Sequence, residues 1–68
     1  MENEIWHNMD DEPYRCCVIL YSSSNDRLYD GEYVGNDNYM VDNIIINKSQ
    51  FTYWAKRNEF FNKIELPI

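Results

Sequence analysis

The sequence has little of what disulfide-bonded or metal-binding proteins need. Among its 68 residues are two cysteines, one histidine, two glycines and two prolines. Cys16 and Cys17 are adjacent, so on a strand they point to opposite faces and cannot easily bridge each other. A zinc site needs further ligands at suitable spacing, and His7 lies in a different segment from the cysteines. We therefore expect no disulfide, no bound metal ion and no cofactor.

Long apolar runs and basic residues are also scarce. The segment Met1–His7 has neither the basic nor the apolar region of a secretory signal, and no run is long enough to span a bilayer. These absences predict a cytoplasmic protein that does not bind membranes. Twelve acidic residues against six basic ones give a net charge of −6. This charge repels the phosphate backbone, so we expect no direct binding of nucleic acid.

Aromatic residues, in contrast, are abundant: the chain has two Trp, six Tyr and three Phe. A chain of this length buries only about 60% of its unfolded surface, which leaves a marginal core. Each buried ring removes roughly 150–250 Å² from water and compensates for this. No repeat, linker or low-complexity segment interrupts the sequence. We therefore predict one small β-rich domain over residues 1–68.

Alternating patterns separated by turn residues predict an antiparallel sheet. The apolar run that begins at Cys16 predicts a central strand covered on both faces. Three consecutive β-branched residues, Ile44–Ile46, predict a further extended segment that is at least half buried. Short loops predict an up-and-down meander of four to five strands. The main strands are expected near residues 15–21, 27–34, 38–42 and 50–55.

The core and the C-terminal segment follow from the same patterns. Gly31 lies on the tyrosine-bearing face of its strand and is expected to leave room for a neighbouring ring. Asn58 is a candidate helix cap, and Phe60 and Ile64 lie one turn apart, which predicts a short C-terminal helix. An aromatic strand is the alternative there. The fold class is therefore mainly β, or α+β. The predicted core residues are Trp6, Val18, Leu20, Tyr29, Tyr33, Tyr39, Phe51 and Tyr53.

A series of aromatic and proline markers carries a family resemblance. These markers are Trp6, Glu12-Pro13, Val18–Tyr21, Tyr29–Tyr33, Tyr39 and Thr52–Trp54. Their order over residues 5–55 resembles the DUF551 family, small proteins common in bacteriophages and in mobile elements of gut bacteria. The chain departs from the family at Glu12, where a leucine is usual, and at Lys56–Phe61, where the family has a proline-rich tail. The resemblance implies a phage or mobile-element origin, and it supplies no catalytic residue.

The sequence also argues against an enzyme. A small sheet has little volume left for a catalytic pocket once its core is filled. His7 stands beside Trp6 as a surface or core-edge residue. The acidic triplet Asp10–Glu12 lacks the spaced ligands and the glycine of a calcium loop. We therefore predict a protein without catalytic residues.

Two non-catalytic functions remain open. One is a protein-interaction module that binds an unknown protein through exposed aromatics or a sheet edge. The other is an acidic mimic of nucleic acid that inhibits a host DNA-binding or defence protein, which requires one contiguous negative face. A marginal core and an exposed edge also predict a weak two-fold homodimer. The predicted partner contacts are Trp54, Phe60, Phe61, Asp30 and Glu32.

Overall fold

The computed structural model of the chain describes residues 5–13 and 17–64, which form one six-stranded antiparallel sheet. The prediction of a mainly β fold with a short C-terminal helix is confirmed. The predicted strand start at residues 15 and 16 lies outside the described residues, as do residues 65–68. The sheet order is β1-β6-β2-β3-β4-β5. The elements are β1 (His7–Asn8), β2 (Cys17–Ser22), β3 (Arg27–Gly35), β4 (Asn38–Val41), β5 (Ile44–Asn47), a 3-10 turn (Lys48–Gln50), β6 (Tyr53–Lys56) and α1 (Arg57–Lys63).

Two-residue turns join β3 to β4 and β4 to β5. Their central residues are Asn36 and Asp37 in the first turn and Asp42 and Asn43 in the second, and all four have φ between 53° and 66°. Asn and Asp tolerate this left-handed backbone, and a turn with two such residues matches the twist of a hairpin. Together with the hairpin between β2 and β3, these turns arrange β2 to β5 as consecutive neighbours.

The link from β5 to β6 leaves this up-and-down order. β6 lies beside β2 rather than beside β5, so residues 48–52 must cross three strands. In a flat sheet that crossing is about 19 Å wide. Residues 48–52 span this distance although part of the link is a 3-10 turn. Within the link, Phe51 packs on Tyr39 with ring centroids 6.0 Å apart. A short link of this kind requires a strongly curled sheet, with the link lying across its concave side.

Each face of the sheet has its own core. β2 supplies both, because alternate residues point to opposite sides, as predicted for a strand covered on both faces. We call the two sides the linker face and the helix face. The linker-face core consists of Val18, Leu20, Tyr39, Val41, Phe51 and Trp54. The helix-face core consists of Ile5, Trp6, Ile19, Tyr21, Ala55 and Phe60.

Five of the eight predicted core residues are buried, namely Trp6, Val18, Leu20, Tyr39 and Phe51. The other three are partly buried. Tyr29 and Tyr33 pack against the linker-face core, whereas Tyr53 packs against the helix-face core. Phe51 and Tyr53 pack on opposite faces although they are two residues apart, because β6 begins at Tyr53 and Phe51 precedes the strand.

Two expectations about β3 and β5 are wrong. The space beside Gly31 is occupied by aliphatic side chains, since a Cβ at this position would lie 2.9 Å from Leu20 Cδ1 and 3.0 Å from Val41 Cγ2. No ring of a neighbouring strand is among these nearest atoms. Ile44 and Ile45, predicted to be at least half buried, are 60% and 52% exposed. The reason is that β5 is the last strand of the sheet order and has β4 as its neighbour.

The N-terminal segment wraps around the outer side of β6. Trp6 lies in the helix-face core, and β1 then pairs with β6. The chain continues to the opposite side, where Met9 packs on the linker-face core and the Trp54 Nε1–H donates to the Asp11 carbonyl at 2.7 Å. Pro13 is buried at the end of this segment. Residues 5–13 thus close both faces around one edge of the sheet.

The C-terminal helix packs on β2 and β6. It begins at Arg57, one residue before the predicted cap, and Asn58 Oδ1 accepts a hydrogen bond from the Glu59 N–H. Phe60 is buried against Trp6, with ring centroids 5.8 Å apart. Ile64 does not continue the Phe60 face, because it ends the helix at φ 50° and is 68% exposed.

Candidate protein-binding surface

The helix covers the helix face over β2 and β6, and the other half of that face is exposed. Strand alternation and cross-strand register identify its members. Leu28 is paired with Tyr21 and Asp30 with Ile19, whose side chains lie on the helix face. Glu32 continues this alternation along β3, and Val34 follows two residues later, where the register with β4 shifts between Tyr33 and Gly35. We call the exposed half the open face, and it consists of Leu28, Asp30, Glu32, Val34, Met40 and Ile45.

One row of paired residues crosses the open face. Glu32 pairs with Cys17 on one side and with Met40 on the other, and Met40 pairs with Ile45. Cys17 is a free, exposed thiol at the inner end of the row. Val34 is 44% exposed and Ile45 52% exposed, while Met40 between the strands is half-buried. The outer part of the open face is therefore an apolar strip of Val34, Met40 and Ile45.

The helix forms one border of the open face. Arg57 Nε donates to Asp30 Oδ1 at 3.2 Å, and this hydrogen bond with the carboxylate raises the pKa of Arg57. Phe61 lies one helical turn after Arg57, so both project from the same side of α1. The Phe61 ring is 57% exposed and contacts Phe60 edge-on. An exposed ring and a surface ion pair thus stand beside the strands of the open face.

The five predicted contact residues divide between this surface and the core. Asp30 and Glu32 are exposed on the open face, and Phe61 borders it. The prediction is wrong for Trp54 and Phe60, which are only 4% and 7% exposed. Trp54 lies under the N-terminal segment, and Phe60 is the helix residue that points into the helix-face core.

The apolar strip is the part of the surface that the predicted contact set omitted. Alternation along β3 already places Asp30 and Glu32 opposite the tyrosines, and the same alternation puts Val34 beside them. Met40 and Ile45 require the register of β4 and β5, which the two-residue turn at Asp42 and Asn43 determines. The strand register that this turn sets is therefore the sequence signal that could have identified Met40 and Ile45 as surface residues.

Two shallow depressions lie away from the apolar strip. The first has a volume of about 420 Å³ and adjoins Leu28 on β3. Within it the Tyr21 hydroxyl donates to Asp26 Oδ1 at 2.6 Å. This hydrogen bond, together with burial, raises the pKa of Tyr21. The residues that line this first depression are Tyr21, Asp26, Arg27, Leu28 and Tyr29.

The second depression contains His7 and has a volume of about 400 Å³. The imidazole stacks on the Trp54 ring with centroids 4.3 Å apart, so one face of the histidine is already in contact. Within residues 5–13 and 17–64, no three His, Cys, Asp or Glu side chains are grouped closely enough to hold a metal ion. The lining residues are His7, Asp11, Glu12, Pro13, Trp54, Lys56 and Glu59.

Acidic residues occur on both sides of the sheet. Asp30 and Glu32 lie on the open face, whereas Glu12 lies near Tyr33 on the linker side. Burial raises the pKa of Tyr33, and hydrogen bonding with Glu12 raises it further, while the hydrogen bond from the Asp37 N–H lowers it. Lys48 Nζ lies 3.8 Å from a carboxylate oxygen of Asp37. The described acids thus face more than one direction.

Comparison with known proteins adds no relative. No family model, no curated protein and no solved structure matches the chain. The resemblance to the DUF551 family therefore stays a prediction. Among the described residues, no helix has the length and apolar character needed to cross a membrane.

Proposed function

We propose that this chain is a non-catalytic protein-binding domain and that its binding surface is the open face. The observation that carries the proposal is the apolar strip of Val34, Met40 and Ile45, which lies on the half of the helix face that α1 leaves uncovered, with Val34 44% and Ile45 52% exposed. Exposed apolar strips rimmed by polar residues mark protein-interaction sites. Strands β3, β4 and β5 carry this strip, with regular pairing of Met40 and Ile45 and a register shift between Tyr33 and Gly35 at the Val34 end.

The charges around the strip define the partner. Glu32 is exposed beside Met40, and the chain as a whole has a net charge of −6. The partner is therefore a protein with an apolar patch and lysine or arginine residues at its rim. Complementary charge of this kind accelerates association and fixes orientation more than it adds affinity. Phe61 provides a further apolar contact at the helix border.

We also propose that the protein has no catalytic activity, that it is cytoplasmic, and that it comes from a phage or mobile element. The position of His7 supports the absence of catalysis, because its ring stacks on Trp54 and lies in a shallow depression rather than a closed pocket. The origin rests on the sequence resemblance alone. The alternative function, an acidic mimic of nucleic acid, gains no support from the acids on opposite sides of the sheet.

Site-specific photo-crosslinking tests the binding surface. A photoreactive residue replaces Met40 on the open face, and a matched variant carries it at the exposed Gln50 in the 3-10 turn. In host lysate, we expect one protein to be crosslinked from position 40 and not from position 50. Val34→Lys should abolish this crosslink while Gln50→Lys leaves it intact. Equal crosslinking from both positions would contradict the proposed surface.

A further inference from the structure

The outer edge of β5 lacks the features that usually protect an edge strand. β5 is the last strand of the described sheet, and its sequence is Ile-Ile-Ile-Asn. Protected edges carry lysine, proline or a bulge, because an exposed strand edge pairs readily with another chain. β5 has no charge and no proline, and its register with β4 is regular over all four residues. The opposite edge, β1, is only two residues long.

The hairpin between β4 and β5 determines which backbone groups face outward. Val41 and Ile44 close a two-residue turn, so they form a hydrogen-bonded pair. Hydrogen-bonded and non-hydrogen-bonded pairs alternate along an antiparallel ladder. Ile46 therefore also bonds to β4, whereas the N–H and C=O of Ile45 and Asn47 point away from it. A strand that adds to this edge must place its own outward-facing residues opposite these two.

We propose that the occupant of this edge is a second copy of the chain, paired antiparallel about a two-fold axis through Ile45. In this register, each Ile45 exchanges two backbone hydrogen bonds with Ile45 of the second copy. Ile44 then lies opposite Ile46 of the second copy, so every isoleucine of β5 faces another isoleucine. The twelve strands of the two copies form one continuous sheet.

Charge complementarity favours a second copy in this register. Beyond the isoleucines, the same pairing brings Asp42, in the turn before β5, toward Lys48 of the second copy, whose ammonium also lies 3.8 Å from Asp37 of its own copy. The two-fold axis repeats this opposite-charge pair on the other side. A shift by two residues, with Ile45 opposite Asn47, would instead put Ile44 against Lys48. The strand itself carries no like charges that would repel the copies despite the net charge of −6.

Pairing through β5 alone makes the association weak and limits it to two copies. Each copy contributes four strand residues and the turn beside them, whereas a stable interface uses roughly 20–30 residues a side. We therefore expect a dissociation constant of about 1 mM. Pairing of β5 with β5 uses both long edges, and the two-residue β1 offers little for further addition. The assembly therefore stops at the dimer and does not grow into a fibre.

The test is the concentration dependence of NMR spectra and of translational diffusion, from about 0.05 mM to about 2 mM protein. In the wild type, the amides of Ile45 and Asn47 should shift with concentration and diffusion should slow. Ile45→Pro removes an outward N–H without removing a bond to β4, so the fold persists and pairing is lost. Ile45→Lys places like charges opposite each other and should weaken pairing by about tenfold.

Two further variants distinguish self-association through the β5 edge from self-association through the open face. Val34→Lys adds the same charge on β3, away from the edge, and should leave the dissociation constant within about twofold. Asp42→Asn removes the charge pair with Lys48 and should weaken pairing by about twofold to fivefold. A strict monomer at the highest concentration, or a dimer unchanged by both Ile45 variants, would overturn the inference. A dimer lost on Val34→Lys but not on Ile45→Pro would assign self-association to the open face instead.

Discussion

Replacement of Gly31 by alanine tests how closely β2, β3 and β4 pack on the linker face. An added Cβ would lie 2.9 Å from Leu20 Cδ1, 3.0 Å from Val41 Cγ2 and 3.1 Å from the Met40 carbonyl oxygen. Leu20 is fully buried and Val41 is 5% exposed, so neither side chain can rotate into solvent. The carbonyl belongs to the neighbouring strand and can move only with it. The added methyl group therefore cannot be accommodated without moving a buried side chain or the neighbouring strand.

The magnitude follows from two opposing effects. Overpacking of a core costs roughly 1–3 kcal/mol. Alanine also restricts the unfolded chain more than glycine does, which recovers about 0.5–1 kcal/mol. The net expectation is a loss of about 1–2 kcal/mol in the free energy of unfolding. For a domain of this size, with a urea m-value of about 1 kcal/mol/M, the midpoint of urea unfolding should fall by about 1–2 M.

A double-mutant cycle with Val41→Ala isolates the cause. Val41→Ala removes one of the atoms that the new Cβ would meet, so Gly31→Ala should cost about 1 kcal/mol less in that background. Urea unfolding followed by tryptophan fluorescence measures all four proteins. A Gly31→Ala protein as stable as the wild type, or a strictly additive cycle, would refute the packing argument.

The remaining predictions concern the N-terminal cover, pH and nucleic acid. Trp54→Phe removes the hydrogen bond to Asp11 and part of a buried ring, so urea unfolding should show a loss of about 2 kcal/mol. The pKa of Tyr21 is raised above its ordinary value of 10.0 by Asp26 and by burial, so the unfolded chain loses this proton first. Stability should therefore hold below about pH 10 and fall above it, and Tyr21→Phe should flatten that fall in urea melts. Duplex DNA should show no mobility shift at physiological salt, and saturable binding that weakens with salt would contradict the charge argument.

Local patterns predicted most strands because their determinants are short-range. Alternation in β3 and the Asn-Asp and Asp-Asn turns specify hairpins without reference to the rest of the chain. The return of β6 to the side of β2 is different, because it consists of pairing between residues 18–21 and 53–56, which are far apart in sequence. The exposure of Ile44 and Ile45 follows from that same return. Once β6 pairs elsewhere, β5 is left at an edge.

The contact residues were harder to predict because the secondary structure determines which of two adjacent aromatic residues is buried and which is exposed. Phe60 and Phe61 are chemically alike, and only the helical geometry of α1 turns the first toward Trp6 and the second toward solvent. Tyr53 and Trp54 sit on opposite faces of β6, and both faces are covered, so alternation could not tell which ring is accessible. Burial in a sheet with two cores depends on what lies over each face.

The size of the helix explains why an open face exists at all. α1 has seven residues, so it is about 10 Å long and, with its side chains, about 10–12 Å wide. Neighbouring strands are about 4.8 Å apart, so such a helix covers two strands, and it lies over β2 and β6. The link between β5 and β6 lies on the other side of the sheet and cannot extend this cover. The outer strands β3, β4 and β5 consequently keep the open face exposed, and covering all three strands requires an element of a partner wider than α1.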